Sequence, residues 1–344
     1  MPHSVFRYTK EFRLENGQTL NGYHLAYNTY GTLNQQKDNA VWIFHALTAN
    51  SDPADWWSGL TGPGKLFDPE HFFIVCVNMP GSCYGSIGPL DIDPLTQSPW
   101  FHRFPLFTTR DMIRTYQPLR ESLGINKIKI GIGGSMGGQQ LLEWAIEEPL
   151  LFENIFPIAT NACHSPWGIA FNASQRLAIE MDGTWKNEDP QAGIEGMKVA
   201  RGFALISYRH YTTYGKGQTE HDDSLIDGFK SESYQRYQGE KLARRFNAFS
   251  YYYLSKSMDS HNIGRDRRGL IHALGSIRAA TMCIGIETDI LFPLQEQQFI
   301  ADNIPGASFI AIQSPYGHDG FLLEFSQLTP IISAFAGIDV RSYI

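Results

Sequence analysis

The chain has few cysteines, four among 344 residues, and none of them forms a Cys-x-x-Cys pair. So small a number provides no disulfide framework, and no spacing of Cys or His residues suggests a metal site. Long hydrophobic runs are also absent, because the apolar segments fall far short of the ~20 residues that span a bilayer. The first residues show no basic segment followed by an apolar one, as a secretory signal would. We therefore expect a cytoplasmic protein that binds neither a metal nor a membrane.

Positive charge is not in excess either, since 28 Lys and Arg face 35 Asp and Glu and give a net charge of −7. This balance argues against a broad surface for nucleic acid. With 42% hydrophobic and 18% charged residues, the composition is typical of a folded globular protein. We therefore expect no nucleic-acid partner.

Short apolar runs alternate with longer amphipathic stretches, which indicates a mostly parallel α/β sheet. The predicted strands cover residues 41–44, 72–77, 127–132, 155–159, 281–286 and 308–312, and the predicted helices begin at Thr109 and Gln139. Strand signals fade between about residues 165 and 270 and then return. The sequence thus predicts a catalytic domain formed by residues 1–164 and 271–344, interrupted by a helical cap at residues 165–270.

Aromatic and apolar residues recur within the predicted cap at spacings of mostly three to five, as on one face of a helix. These residues are Tyr234, Tyr237, Leu242, Phe246, Phe249 and Tyr253. One interpretation is a helix that packs on its own domain. The other is a cap helix that covers a site and pairs with a second subunit.

The strongest chemical signal is the segment Gly133-Gly-Ser135-Met136-Gly137, which fits G-x-S-x-G between a predicted strand and a predicted helix. The sharp turn exposes the serine hydroxyl at the strand end, where the helix N-terminus favours developing negative charge. Ser135 is therefore the predicted nucleophile. A dinucleotide-binding turn would need glycine where Met136 stands, and no Lys-Ser or Lys-Thr follows to make a phosphate loop.

Folds built around this motif supply an acid and then a histidine after later strands. His318 follows the last predicted strand in a glycine-flanked loop and is the predicted base. Asp289 follows the preceding strand and is the favoured acid, with Glu287 as the alternative. The backbone N–H groups of Leu47, after an early strand, and of Met136, after the nucleophile, are the predicted oxyanion-hole donors.

Six segments, taken in order, resemble the homoserine O-acetyltransferase family of the α/β-hydrolase superfamily over nearly the whole chain. They are His45-Ala-Leu-Thr, Asn78 with Gly81-Ser-Cys-Tyr-Gly-Ser, Phe104-Pro with Thr109-Arg-Asp-Met-Ile, Gly133-Gly-Ser-Met-Gly-Gly-Gln, Met258-Asp-Ser-His-Asn and Gly317-His-Asp-Gly-Phe-Leu. The resemblance implies an α/β-hydrolase fold with an inserted helical cap, and a homodimer. It also implies transfer of the acetyl group of acetyl-CoA to the side-chain hydroxyl of L-homoserine in methionine biosynthesis, with no further cofactor.

The same resemblance implies the site residues by matching position. The triad would be Ser135, Asp289 and His318, and the substrate-binding residues Arg201, Tyr208, Asp319 and Thr48. Because the acceptor is a zwitterion, we expect the Arg201 guanidinium to hold its carboxylate in a fork and Asp319 to hold its ammonium group.

Three other functions stay open. Gln139 stands where the family often has methionine, and two further departures lie near the predicted entrance at Pro80 and Ile87. The enzyme could therefore be a homoserine or serine O-succinyltransferase. It could also be an esterase or thioesterase with water as acceptor, which the spacing of Arg201 and Tyr208 argues against. A silent binding protein of the same fold is the third alternative, and a complete set of Ser, Asp and His argues against it.

Overall fold

The computed structural model describes residues 4–339, which are organised around an eight-stranded sheet. Its strands are β1 (Ser4–Tyr8), β2 (Tyr23–Tyr30), β3 (Ala40–Phe44), β4 (Phe73–Val77), β5 (Ile128–Gly134), β6 (Phe152–Ile158), β7 (Ala280–Ile286) and β8 (Ser308–Ile312). Their order across the sheet is β1-β2-β4-β3-β5-β6-β7-β8. Strand β2 pairs antiparallel with β1 and β4, and the other neighbours are parallel. The predicted mostly parallel sheet is confirmed.

The inner strands are apolar along their whole length because helices cover both faces of a parallel sheet. Every residue of β3 is buried, and β5 and β6 have one residue each that is not. Two short antiparallel ladders lie outside the sheet, Phe12–Arg13 with Thr19–Leu20 and Ile92–Asp93 with Ser98–Pro99. The parallel strands end at one edge of the sheet, and the loops that follow them meet there.

The helices of the described region fall into two groups. Those of the sheet region are α1 (Pro53–Trp56), α2 (Thr109–Ser122), α3 (Met136–Glu147), α10 (Leu294–Asn303) and α11 (Phe325–Ala336). Those between β6 and β7 are α4 (Pro166–Glu180), α5 (Ile194–Tyr208), α6 (Tyr211–Gln218), α7 (Lys230–Ala243), α8 (Ala248–Asp259) and α9 (Leu270–Leu274). Short 3-10 turns cover Phe101–Arg103 and Gly317–Leu322.

Of the two predicted helix starts, one is confirmed and the other is wrong. Helix α2 begins at Thr109 as predicted, because Thr108 and Asp111 form a capping box with both reciprocal bonds present. Helix α3 begins at Met136 rather than Gln139. The sequence suggested that Gly137 and Gly138 are turn residues. They lie instead in the first turn of the helix, where the chain passes close to its neighbours.

The apolar residues of the predicted cap do not lie on one helix, so the prediction of a single helical face is wrong. Tyr237 lies on α7 and Phe249 on α8, while Phe246 lies in the break between them. The break arises because Asn247 starts a new helix, its side chain accepting a hydrogen bond from the Ser250 N–H at 2.7 Å.

The inserted helices share the core of the sheet region. Phe249, Leu254 and Met258 of α8 belong to the same hydrophobic cluster as Trp42 and Trp144. Because the core is shared, the division into a catalytic domain and a cap at residues 165–270 stays a prediction. Residues 1–3 and 340–344 of the predicted catalytic domain lie outside the described part.

Buried ion pairs fix helix α3, which starts directly after Ser135. Glu143 is fully buried and its Oε2 lies 2.7 Å from Arg267 Nη1 and 3.4 Å from Arg110 Nε. Arg110 comes from α2 and also pairs with Glu15 at 2.7 Å. Removing one partner of such a set would leave a buried charge uncompensated, which is strongly destabilising. The pairs thus tie α2, α3 and the segment after α8 together beneath the serine.

Candidate active site

Ser135 occupies a strained turn between β5 and α3, with φ 58° and ψ −128°. Side chains rarely adopt a positive φ, and such strain is kept where neighbouring packing enforces it. The flanking glycines show that packing. A Cβ at Gly133 would lie 2.6 Å from the Gly137 carbonyl carbon, and one at Gly137 would lie 2.2 Å from the Phe44 oxygen. The G-x-S-x-G pattern is thus required by the close approach of β5, α3 and the end of β3.

His318 and Asp289 are hydrogen-bonded, with 2.6 Å between His318 Nδ1 and Asp289 Oδ2. The other carboxylate oxygen of Asp289 accepts from the N–H groups of Leu291 and Phe292, at 2.8 and 2.9 Å. The Phe292 ring stacks on the imidazole with 5.1 Å between centroids. Glu287, the alternative acid, is exposed. Both oxygens of Asp289 are therefore held, and one of them orients the imidazole.

One cavity of about 320 Å³ brings most of the predicted residues together. Its lining includes Ser135, His318, Leu47, Thr48, Arg201, Tyr208 and Asp319. Asp289 lies outside the lining and reaches the cavity through His318, and Met136 is fully buried beneath Ser135. Ser135 itself is 6% exposed and His318 is 3% exposed, so a reaction here would be largely shielded from water.

The turn after β3 contributes Leu47 and Thr48 to the lining of this cavity. Ala46 O accepts a hydrogen bond from the Ala49 N–H at 3.0 Å, which makes Leu47 and Thr48 the central residues of a β-turn. Within residues 4–339, neither the Leu47 N–H nor the Met136 N–H donates to a protein acceptor. Both groups are therefore free to bind an oxyanion, and their role as oxyanion-hole donors stays a prediction.

Arg201 and Tyr208 lie seven residues apart on α5, and both line the cavity. The Arg201 guanidinium carbon is 5.7 Å from the centre of the Tyr208 ring, and that ring is 5.7 Å from the His318 ring. Burial raises the pKa of the Tyr208 hydroxyl, and the positive charge of Arg201 opposes the shift. Tyr208 therefore stays neutral beside the base and can donate a hydrogen bond.

Asp319 has a partner that the sequence did not suggest. Its Oδ2 lies 2.6 Å from Nε of Arg209, at the C-terminal end of α5. Burial raises the pKa of the Asp319 carboxyl, while Arg209, His318 and Arg201 counteract that shift. The carboxylate that we expected to hold an ammonium group is thus already paired on one side. The only sequence signal for Arg209 was its position next to Tyr208.

Arg245, between α7 and α8, also lines the cavity and was missed entirely. Its Nη1 donates to Thr48 O at 2.7 Å and lies 2.5 Å from the Tyr84 hydroxyl oxygen. Thr48 and Arg245 are 197 residues apart, so no local pattern could have joined them.

Residues 4–339 contain no group of three or more His, Cys, Asp or Glu side chains placed to hold a metal ion. In the same part of the chain, no helix is both long and apolar enough to cross a membrane. All four cysteines are unpaired.

The profile of the α/β-hydrolase fold family matches residues 39–325. The chain therefore belongs to that family. Among named relatives, a homoserine O-acetyltransferase from Cyclobacterium marinum is 46% identical over 335 residues, 97% of this chain and 95% of the relative. Another from Chlorobaculum tepidum is 38% identical and covers 96% of this chain and 93% of its own length. Within the hydrolase fold, the chain thus belongs to the homoserine O-acetyltransferase family.

Solved structures show the same fold at lower identity. A homoserine O-acetyltransferase from Bacillus anthracis superposes with a TM-score of 0.90 at 24% identity, over 99% of both chains. Esterase E22 superposes with a TM-score of 0.88, also at 24% identity, over 97% of this chain and 99% of its own. Since a transferase and an esterase share this architecture, the fold by itself does not select the acceptor.

Proposed function

We propose that this protein is a homoserine O-acetyltransferase that moves the acetyl group of acetyl-CoA to the side-chain hydroxyl of L-homoserine. The observation that carries the proposal is the composition of one cavity. A serine and a histidine lie there beside Arg201 and Asp319, a cation and an anion that match the two charges of a free amino acid. The names of the full-length relatives supply the particular acyl group and acceptor.

In the first half-reaction, Ser135 Oγ attacks the thioester carbonyl while His318 takes its proton. Asp289 stabilises the imidazolium through the 2.6 Å bond to Nδ1. The N–H groups of Leu47 and Met136 hold the oxyanion of the tetrahedral intermediate. The C–S bond then breaks, CoA leaves as its thiol with the proton from His318, and an acetyl ester remains on Ser135.

In the second half-reaction, His318 deprotonates the homoserine hydroxyl, whose oxygen attacks the acetyl ester. The ester bond to Ser135 breaks, the serine regains a proton from His318, and O-acetyl-homoserine leaves. Arg201 holds the acceptor carboxylate in a bidentate pair. Asp319, whose Oδ2 is occupied by Arg209, offers its other oxygen to the ammonium group. The two substrates react in turn, so ping-pong kinetics are expected.

Water is the competing acceptor, and the cavity supports transfer over hydrolysis. The base lies among the rings of Tyr208, Phe292 and Phe321, with centroid distances from 5.1 to 5.7 Å. Closely packed rings exclude bulk water, while charged groups at fixed positions orient an amino acid. Water as an acceptor carries no charges for Arg201 and Asp319 to match, whereas a free amino acid carries two.

We further propose a homodimer in the cytoplasm. Val199, Phe203 and Ile206 form an apolar stripe on α5 and are 55%, 42% and 54% exposed, which is costly unless another surface covers them. Replacing Phe203 and Ile206 by Glu should yield a monomer in light scattering, whereas Leu150→Glu, at an exposed apolar residue away from the insertion, should not. An unchanged mass for the double variant would contradict the dimer surface. The unpaired cysteines agree with a reducing compartment.

The test of the activity is thiol release from acetyl-CoA with and without L-homoserine, with O-acetyl-homoserine measured by mass spectrometry. Release that requires homoserine and matches product in amount is the expected result. Release that ignores homoserine would indicate a thioesterase. Faster turnover of succinyl-CoA than of acetyl-CoA would instead assign an O-succinyltransferase, and comparing L-homoserine with L-serine would then identify its acceptor.

A further inference from the structure

The turn that carries Leu47 is held through two peptide groups. Within one planar trans peptide, the C=O and the N–H point in opposite directions and turn together. Thr48 O and the Ala49 N–H form one such group, and Ala46 O and the Leu47 N–H form the other. The Ala49 N–H donates to Ala46 O at 3.0 Å, so the two groups are linked. Whatever fixes Thr48 O therefore helps to aim the Leu47 N–H.

His45 fixes the Ala46–Leu47 peptide group from inside the sheet region. Its Nε2 accepts from the Met79 N–H at 3.1 Å, which leaves the ring proton on Nδ1. Nδ1 then donates to Ala46 O at 2.9 Å. Burial lowers the pKa of His45 to about 4, so this neutral form persists near pH 7.

Arg245 fixes the Thr48–Ala49 peptide group from the insertion. Its Nη1 donates to Thr48 O at 2.7 Å, and the Tyr84 hydroxyl contacts the same nitrogen. Tyr84 is itself held edge-on by Phe246, with 5.7 Å between ring centroids. In addition, the Cys83 thiol lies 3.4 Å from the Arg245 carbonyl oxygen. The guanidinium is thus anchored by its surroundings although the residue is exposed.

We propose that Arg245 is a positioning residue that aims the Leu47 N–H at the oxyanion formed on the acyl group bound to Ser135. The inference rests on the oxyanion role of Leu47 in the proposed function. Arg245 acts through the Thr48–Ala49 and Ala46–Leu47 peptide groups and makes no bond to the reacting atoms. Its loss should therefore slow the chemical steps and leave substrate binding nearly unchanged, because an oxyanion donor is used only in the transition state.

The experiment compares Arg245→Ala with Arg244→Ala, the exposed neighbour, as the matched control. Acylation of Ser135 is followed with p-nitrophenyl acetate, which needs no CoA and no homoserine. Losing a whole oxyanion donor costs about 10²- to 10³-fold. Misaiming one should lower kcat for Arg245→Ala by about 10- to 100-fold with KM within about twofold. Arg244→Ala should match the unsubstituted protein.

Two further measurements separate positioning from a loss of structure. Guanidinium ion at millimolar concentration should partly restore kcat of Arg245→Ala and have no effect on Arg244→Ala. Arg245→Gln, which retains one N–H donor for Thr48 O, should keep more activity than Arg245→Met. If Arg245→Ala fails to fold, the Gln and Met pair still decides, and equal activity of the two would overturn the proposal.

Other outcomes also count against Arg245 as a positioning residue. A higher KM with unchanged kcat for Arg245→Ala would make Arg245 a substrate contact. Unchanged values of both would show that Arg245 has no part in the reaction. A protein that is acylated by p-nitrophenyl acetate but shows no homoserine dependence would refute the proposed function alone. If Ser135 is not acylated at all, the oxyanion role of Leu47 fails and the proposal falls with it.

Discussion

The strand ends and the inserted helices contribute different kinds of groups to the same cavity. The strand ends supply Ser135, His318 and Leu47, all of them buried. The insertion supplies Arg201 and Tyr208, which are only partly buried. The proposed reacting groups thus lie at the sheet edge, and the cation proposed to hold the acceptor carboxylate lies on the insertion. Substitution of Ser135 or His318 should stop both half-reactions, whereas substitution of Arg201 should change the response to the acceptor.

The sheet is also more completely buried than the outer helices of the insertion. All five residues of β3 are buried, whereas α6 has no buried residue and α7 has only Gly239 and Leu242. Elements with few buried apolar contacts open more readily than core strands. Helices α6 and α7 thus form a looser outer part of the insertion beside a well-packed sheet edge.

The largest effect is expected for Ser135→Ala, which removes the nucleophile. Turnover of acetyl-CoA should fall by about 10⁶-fold, as when the equivalent serine of a protease is removed. Thiol release and acylation by p-nitrophenyl acetate should be lost together, and thermal melting should show a folded protein. Retained thiol release would mean that the acetyl group does not pass through Ser135.

A smaller loss is expected for Asp289→Asn, because the amide favours the wrong tautomer of His318. Activity should fall by about 10⁴-fold, with little change in KM. Glu287→Gln is the matched control, since Glu287 is exposed on the same loop. Equal losses in both variants would show that the orienting acid is shared between the two carboxylates.

Arg201→Ala tests the insertion side of the comparison. Loss of a charged hydrogen-bonding partner should raise KM for homoserine by about 10- to 100-fold. Acylation by p-nitrophenyl acetate should stay within about twofold, because Ser135 and His318 are untouched. Arg236→Ala, at an exposed arginine of α7 that pairs with Glu232, is the control. An unchanged KM would place the carboxylate pocket elsewhere.

The sequence was informative where the structure is governed by local rules. The strand at 308–312 was predicted at its observed bounds, and Ser135 followed from a motif whose glycines the packing requires. Arg201 and Tyr208 came from a resemblance rather than from any local rule. Arg245 and Arg209 were missed because their partners, Thr48 and Asp319, are brought near only by the tertiary fold.

The smallest effect, and one that both regions share, concerns buried histidines. Burial lowers the pKa of His45, after β3, to about 4, that of His164, before α4, to about 4, and that of His261, after α8, to about 3. In the unfolded chain a histidine titrates near its ordinary pKa of about 6.5. Between the lowered pKa and this ordinary pKa, the unfolded chain therefore binds more protons than the folded protein. Stability from these groups is complete above about pH 6.5 and is lost as the pH falls toward 4.

As the pH falls through that window, each such histidine should therefore lower the free energy of unfolding by about 1.4 kcal/mol per pH unit. Urea unfolding at pH 7, 6 and 5 measures the slope, and His261→Gln should make it shallower by one histidine. His272→Gln, at an exposed histidine, should leave it unchanged. If both variants keep the original slope, His261 takes up its proton in the folded protein, and the polar contacts of its ring to Thr109 and Asn161 do not hold it neutral.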